Sequence, residues 1–157
     1  MANSLEKGER NIQELTKISR DYGLEINKEK SQVIIFNMKE KPSQIMNIKV
    51  SDNIKYLGII INDNRNCFKK HKEKMMEKAS QLANITQSVI GKSCSKILIG
   101  KTFWKTIALP SILYGTNIMN ITKTEIEKLQ RIENSVYRQI LGAPQYTQGT
   151  ALHGEID

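Results

Sequence analysis

The sequence predicts an α+β fold on three observations. Apolar residues recur at helical spacing up to Tyr22, alternate in short β-favouring runs from Leu24 to Ile61, and return to helical spacing from about Asn66. The expected architecture is one helix with a small antiparallel sheet, followed by an all-helical bundle.

Each element has its own signal. Asn3 is placed to cap the first helix with Glu6 at its third position; Ile12, Leu15, Ile18 and Tyr22 carry one face, and Gly23 stops it. Leu24 to Ile26, Val33 to Phe36, Ile45 to Val50 and Tyr56 to Ile61 read as short strands, cut by Asn27-Lys28, Lys41-Pro42-Ser43 and Asp52-Asn53. The turn-prone run Asn62-Asp63-Asn64-Arg65-Asn66 marks a boundary. Beyond it Phe68, Met75, Ala79, Leu82, Val89 and Ile90 form the stripe of a long helix, with Lys70, Lys74 and Lys78 opposite and Gly91-Lys92-Ser93 at its end. A second helix carries Ile97, Gly100, Trp104 and Ala108 into the interruption from Pro110 to Gly115. A third opens with the capping box Thr122-Lys123-Thr124-Glu125, buries Ile126, Leu129, Val136 and Ile140, and closes at Gly142. The division expected is residues 1–62, a helical part at 63–145, and a disordered tail at 146–157.

The net charge of +8 is not spread evenly. Between Arg65 and Lys105 stand ten basic residues and two acidic ones, Glu73 and Glu77, so this segment carries the whole excess. Such a localised field points to a polyanion, with nucleic acid first. Up to Lys78 a solvated, self-paired face explains the cations about as well, since Glu73 and Glu77 stand three or four residues from Lys69, Lys70 and Lys74. From Lys92 to Lys105 there is no acidic residue, which makes Lys92, Lys96, Lys101 and Lys105 the stronger candidates for phosphate contact.

Other chemistry is mostly excluded. No aliphatic run is longer than three residues, as in Ile59-Ile60-Ile61, and the first residues have neither a basic nor an apolar leader segment, so no membrane span or secretion is expected. Two cysteines, Cys67 and Cys94, and two distant histidines, His71 and His153, do not make a disulfide scaffold or a structural zinc site. An intracellular protein, in cytoplasm or nucleus, without metal or cofactor of its own, is the expectation. The four aspartates, Asp21, Asp52, Asp63 and Asp157, stand apart and read as turn or cap residues. No phosphate loop, dinucleotide fingerprint or nucleophile elbow is present.

Four motifs in order carry a family resemblance. Gly23-Leu24-Glu25-Ile26-Asn27-Lys28-Glu29-Lys30-Ser31 followed by Val33-Ile34-Ile35-Phe36 resembles the G-L-x-I-N-x-x-K-[ST] stretch of non-LTR retrotransposon (LINE-type) reverse transcriptases, which follows the catalytic Asp-Asp hairpin of the palm. Lys55-Tyr56-Leu57-Gly58 resembles the family's K-Y-L-G hairpin, and Pro110-Ser111-Ile112-Leu113-Tyr114-Gly115 its P-x-[IL]-L-Y-G thumb segment. Leu129 through Asn134, Arg138 and Ile140-Leu141-Gly142 is similar to its L-x-x-x-x-N-x-x-x-R-x-[IL]-L-G helix.

The resemblance implies that residues 1–62 are the end of a palm with a primer-grip-like hairpin, and 63–145 a helical thumb. It also implies that the fingers and catalytic aspartates, with the Mg²⁺ they hold, lie upstream of Met1, so the chain alone is expected to be inactive as a polymerase. The tryptophan that often follows the thumb's Tyr-Gly is missing around Asn117 to Asn120. By position in the family, Lys30 is a candidate proton donor to the departing pyrophosphate, and Tyr56, Leu57 and Gly58 support the primer end. The partners implied are an RNA/DNA template-primer duplex and the missing palm and fingers. The alternative is a non-enzymatic basic helical module that binds nucleic acid or protein directly.

Overall fold

The computed structural model describes residues 4–91 and 95–156. In chain order it runs α1 (Leu5–Asp21), β1 (Gln32–Val33), β2 (Gln44–Ile45), β3 (Ile48–Val50), β4 (Asn53–Tyr56), β5 (Ile59–Asn62), α2 (Lys69–Gly91), α3 (Lys96–Phe103), a π-helical segment (Trp104–Ala108), α4 (Leu109–Ile112), a 3₁₀ turn (Thr116–Ile118), α5 (Lys123–Leu141) and α6 (Gly149–Ile156). The fold is α+β, as the change of hydrophobic period predicts. Two compact units meet in the chain at Lys70 and His71.

In the first unit, Ser4 caps α1 by accepting a hydrogen bond from the Lys7 N–H at 3.3 Å. Asn3, the expected cap, lies outside the described residues. No residue of α1 is fully buried: Leu15, Ile18 and Tyr22 of the expected inner face are exposed, and Leu5, Gly8, Asn11, Ile12, Thr16 and Ser19 are the half-buried ones. Sequence spacing found the helix but turned its packed face by part of a turn.

The strands differ from expectation in one consistent way. Two of the apolar runs read as single strands are hairpins folded at their centres. Gln44 pairs Lys49 and Ile45 pairs Ile48 across the turn Met46-Asn47, while Tyr56 pairs Ile59 across Leu57-Gly58. All four turn residues have positive φ (50° and 63°, 47° and 85°), the sign that two-residue type I′ turns require. Leu24 to Ile26 is not a strand, and Val33 to Phe36 contributes only Val33 to one. The sheet containing β1 is also not purely antiparallel, because β1 pairs parallel with β3 in the order β1-β3-β2. The segment from Ile34 to Ser43 lets the chain cross over and bring β2 and β3 back as a hairpin beside β1.

Ile45 and Ile48 are the buried apolar residues of this unit among those described, joined by the polar Asn62. The Asn62 N–H donates to the Cys67 carbonyl at 2.8 Å and closes the loop that leads into α2. Lys41 ties the unit together by pairing with Asp63 and, at 3.2 Å, with Asp52.

The second unit holds the larger core. Met75, Ala79 and Ile90 of α2, Trp104, Ala108 and Ile112 of the central rod, and Val136, Tyr137 and Ile140 of α5 form one cluster with Leu152 and Ile156 of α6. The expected capping box of α5 is present: the Thr122 N–H donates to Glu125 Oε2 at 2.8 Å and the Glu125 N–H to Thr122 Oγ1 at 3.3 Å. Gly142 ends that helix with φ 66°. Two expected core positions, Ile97 and Ile126, are instead exposed.

Residues 149–156, expected to be disordered, form a docked helix with Leu152 and Ile156 fully buried. Polar residues of α5 hold it: Asn134 Oδ1 meets His153 Nε2 at 3.1 Å, and Arg138 donates to the Thr147 carbonyl at 2.9 Å. The His153 ring also stands edge-on to Tyr137, with centroids 4.9 Å apart. Asn134 and Arg138 are the polar positions of the helix motif that the family resemblance singled out. Their packing role had no local signal, because their partners are nine to nineteen residues away.

Candidate nucleic-acid interface

The basic surface of the second unit rides on a continuous rod, α3 through the π segment to α4. Pro110 explains the π segment. It has no N–H to offer the Thr106 carbonyl, and the Leu109 N–H bonds five residues back to Trp104, so the extra residue is absorbed there. The packed side of the rod is Gly100, Trp104, Ala108 and Ile112, each four residues apart and all buried. Gly100 is there for close approach: a Cβ would stand 2.8 Å from Ile140 Cγ1 and 3.1 Å from Ile90 Cδ1. The Trp104 indole N–H points to Glu133 Oε1 at 3.4 Å, an oxygen that also accepts from the Tyr137 hydroxyl at 3.0 Å.

Against this frame the lysines fall in different environments. Lys96 is exposed at the first residue of α3, where the helix dipole adds to its positive potential. Lys101 and Lys105 are half-buried beside Gly100 and Trp104. Lys105 Nζ donates to the Ile156 carbonyl at 3.4 Å, at the end of α6, so it also has a docking role that charge counting did not reveal. Lys92 lies outside the described residues.

The earlier part of the basic segment is not the self-paired face that sequence spacing allowed. Among the described residues, the ion pair on α2 is between Lys72 and Glu125, 2.9 Å apart, with Lys72 buried and also donating to the Asn120 carbonyl. Lys78 reaches the Ser111 carbonyl at 3.0 Å. Glu73 and Glu77 form no ion pair among those described. Burial pushes the pKa of Glu125 up, but hydrogen bonds from the Thr122 N–H, Lys72 and the Thr122 hydroxyl, with the Lys72 charge, outweigh it and hold the carboxyl below its usual range.

In the first unit, Tyr56, Leu57 and Gly58 form the tip of the β4–β5 hairpin. Tyr56 and Leu57 are 64% and 72% exposed, so they are not the sheet-core pair that alternation alone would suggest. Gly58 is a turn residue with φ 85°. Leu57 holds a left-handed conformation that costs a non-glycine residue about 1–2 kcal/mol. Lys30 is exposed in a turn organised by Asn27, whose Oδ1 accepts from the Lys30 N–H at 3.0 Å and whose carbonyl accepts from the Ser31 hydroxyl at 2.7 Å. Asn27, Lys30 and Ser31 of the first motif thus build one Asx-type turn.

The described carboxylates do not form a site for a catalytic Mg²⁺. Among the described residues no three His, Cys, Asp or Glu side chains cluster, and Asp52 and Asp63 are engaged by Lys41. No helix among the described residues is long and apolar enough to cross a membrane.

Comparison with known proteins finds a transposon polymerase that this chain resembles in sequence. The chain is 28% identical over 148 residues to a probable RNA-directed DNA polymerase from transposon X-element of Drosophila melanogaster. The chain is thus similar to a transposon RNA-directed DNA polymerase. The match takes in 88% of this chain and 16% of that protein's length. No family model matches the chain, and no solved structure does. The relationship agrees with the resemblance drawn from the four motifs.

Proposed function

We propose that this chain forms the end of the palm and the thumb of a non-LTR reverse transcriptase, and that its helical unit holds a template-primer duplex by its phosphates. The carrying observation is the relationship to a transposon polymerase over 88% of the chain. Two features of the fold support it. Lys96 and Lys101 stand on a rod that is packed into the core at Gly100 and Trp104, which fixes their spacing. The hairpin tip offers an exposed tyrosine and leucine, side chains suited to sugar and base rather than phosphate.

In this reading Lys30 is the residue that donates a proton to the leaving pyrophosphate, and Tyr56, Leu57 and Gly58 support the primer end. Mg²⁺ would be held by carboxylates of the intact polymerase outside these residues, and polymerisation is not expected of the chain by itself. The test is fluorescence anisotropy of a primer-template duplex over a salt series. Lys96→Gln/Lys101→Gln should weaken binding and lower the slope of log affinity against log salt by about 0.9 for each phosphate contact removed. Lys105 is left intact because it also tethers α6. Parental affinity and slope in the variant would refute the rod as the duplex-binding surface, and primer extension by the purified chain would refute the assignment of its chemistry.

A further inference from the structure

We propose that a cleft in the first unit, between the segment from Asn37 to Lys41 and the loop after β5, is a binding site for a phosphate group. The cleft has a volume of about 540 Å³ and carries Lys39 and Arg65 with the side-chain amides of Asn37 and Asn64. None of these four belongs to the motifs that carry the family resemblance, and none serves the rod described above.

The charge inside the cleft is what selects an anion. Its one carboxylate, Asp63, is neutralised by Lys41, and both side chains are largely shielded, with 16% and 17% exposure. Lys41 is anchored a second time by Asp52, which does not line the cleft. Lys39 and Arg65 make no ion pair among the described residues, so two cations remain for an incoming ligand. The guanidinium offers a planar fork, the ammonium a point charge, and the two amides neutral N–H donors, which together suit a tetrahedral oxyanion rather than a planar aromatic or an apolar group.

The frame is fixed as well. Asn37 turns the chain with φ 61°, and the Asn62 N–H closes the following loop on Cys67 at 2.8 Å. Arg65, which charge counting grouped with the lysines of the later helices, thereby belongs to a different surface in the first unit.

The phosphate has two possible sources, an internucleotide phosphate of a nucleic-acid strand or free inorganic phosphate. Only the first rests on the function proposed above. The test uses the whole chain, ¹⁵N-labelled, titrated with inorganic phosphate and separately with a primer-template duplex, while side-chain amide and Arg Nε signals are followed. Inorganic phosphate should give saturable shifts at Asn37, Asn64 and Arg65, and Lys39→Gln/Arg65→Gln should weaken that binding roughly tenfold or more, since each lost hydrogen bond to a charged group is worth about that factor. Lys39→Arg/Arg65→Lys should largely retain it, which separates loss of charge from damage to the fold.

The same shifts on adding duplex, with a lower salt slope in the Gln variant, identify the strand as the source. Shifts from inorganic phosphate alone identify the free ion. No saturable shift from either titrant, or shifts spread evenly over all lysine-bearing surfaces, would overturn the site. A parent chain that binds no duplex would refute the proposed function without touching the inorganic phosphate result.

Discussion

Lys72 and Glu125 offer the sharpest test of how the second unit is held together. The two side chains meet at 2.9 Å, with 7% of Lys72 and 24% of Glu125 exposed. Lys72 has two acceptors there, Glu125 and the Asn120 carbonyl, whereas Glu125 keeps the Thr122 N–H as a second partner through the capping box. The two deletions should therefore be unequal. Lys72→Met leaves Glu125 hydrogen-bonded and partly wet, and should cost about 1–2 kcal/mol. Glu125→Ala strands a buried ammonium on one carbonyl and removes a cap, and should cost about 3–4 kcal/mol. The double variant should cost less than the sum, because the stranded cation goes with its partner.

Urea unfolding followed by Trp104 fluorescence reports this unit, since Trp104 is the chain's one tryptophan and lies fully buried in the core. Acidity adds a second reading. The folded carboxyl of Glu125 is held below its ordinary value, so its contribution is complete above the unfolded pKa of about 4.5 and is lost as pH falls through the lower folded value. Glu125→Gln should flatten the acid limb of stability in that window and leave the limb above pH 7 unchanged. Equal costs for the two deletions, or a double variant that costs the full sum, would refute the asymmetric burial argued here.

Other expected outcomes follow from single contacts. Gly100→Ala should destabilise the second unit by about 1 kcal/mol, because a clash of about 1–3 kcal/mol against Ile140 and Ile90 outweighs the gain in helix propensity; thermal melts decide it, and stabilisation would show that α3 and α5 are not so close. Asn134→Leu should release α6, read as faster proteolysis after residue 142 with little change in helices α2 and α5; unchanged cleavage would show that the apolar contacts of Leu152 and Ile156 suffice. Leu57→Asn should stabilise the hairpin by about 0.5–1 kcal/mol by suiting the left-handed turn, yet weaken duplex binding if the leucine side chain meets the primer; hydrogen exchange and anisotropy measure the two effects separately.

Sequence by itself determined that α1, α2, α3 and α5 are helices and where most of them begin and end. The capping box Thr122 to Glu125, the stop at Gly142, and the returns of helical period are local signals, because caps and periodic faces depend on residues within a turn or two. The four ordered motifs likewise pointed to the ancestry that the transposon polymerase supports. Tertiary structure decided what local spacing does not encode. Ile45 to Val50 and Tyr56 to Ile61 fold back on themselves because two turn residues in each take positive φ, a choice invisible to hydrophobic alternation and only half signalled by Asn47 and Gly58. Lys72 is buried because Glu125, fifty-three positions away, comes to meet it. The tail folds because Asn134 and Arg138 present partners to it and the core has room for Leu152 and Ile156. Burial of a charge or of a short apolar segment depends on which distant groups arrive beside it, and only the packed chain supplies them.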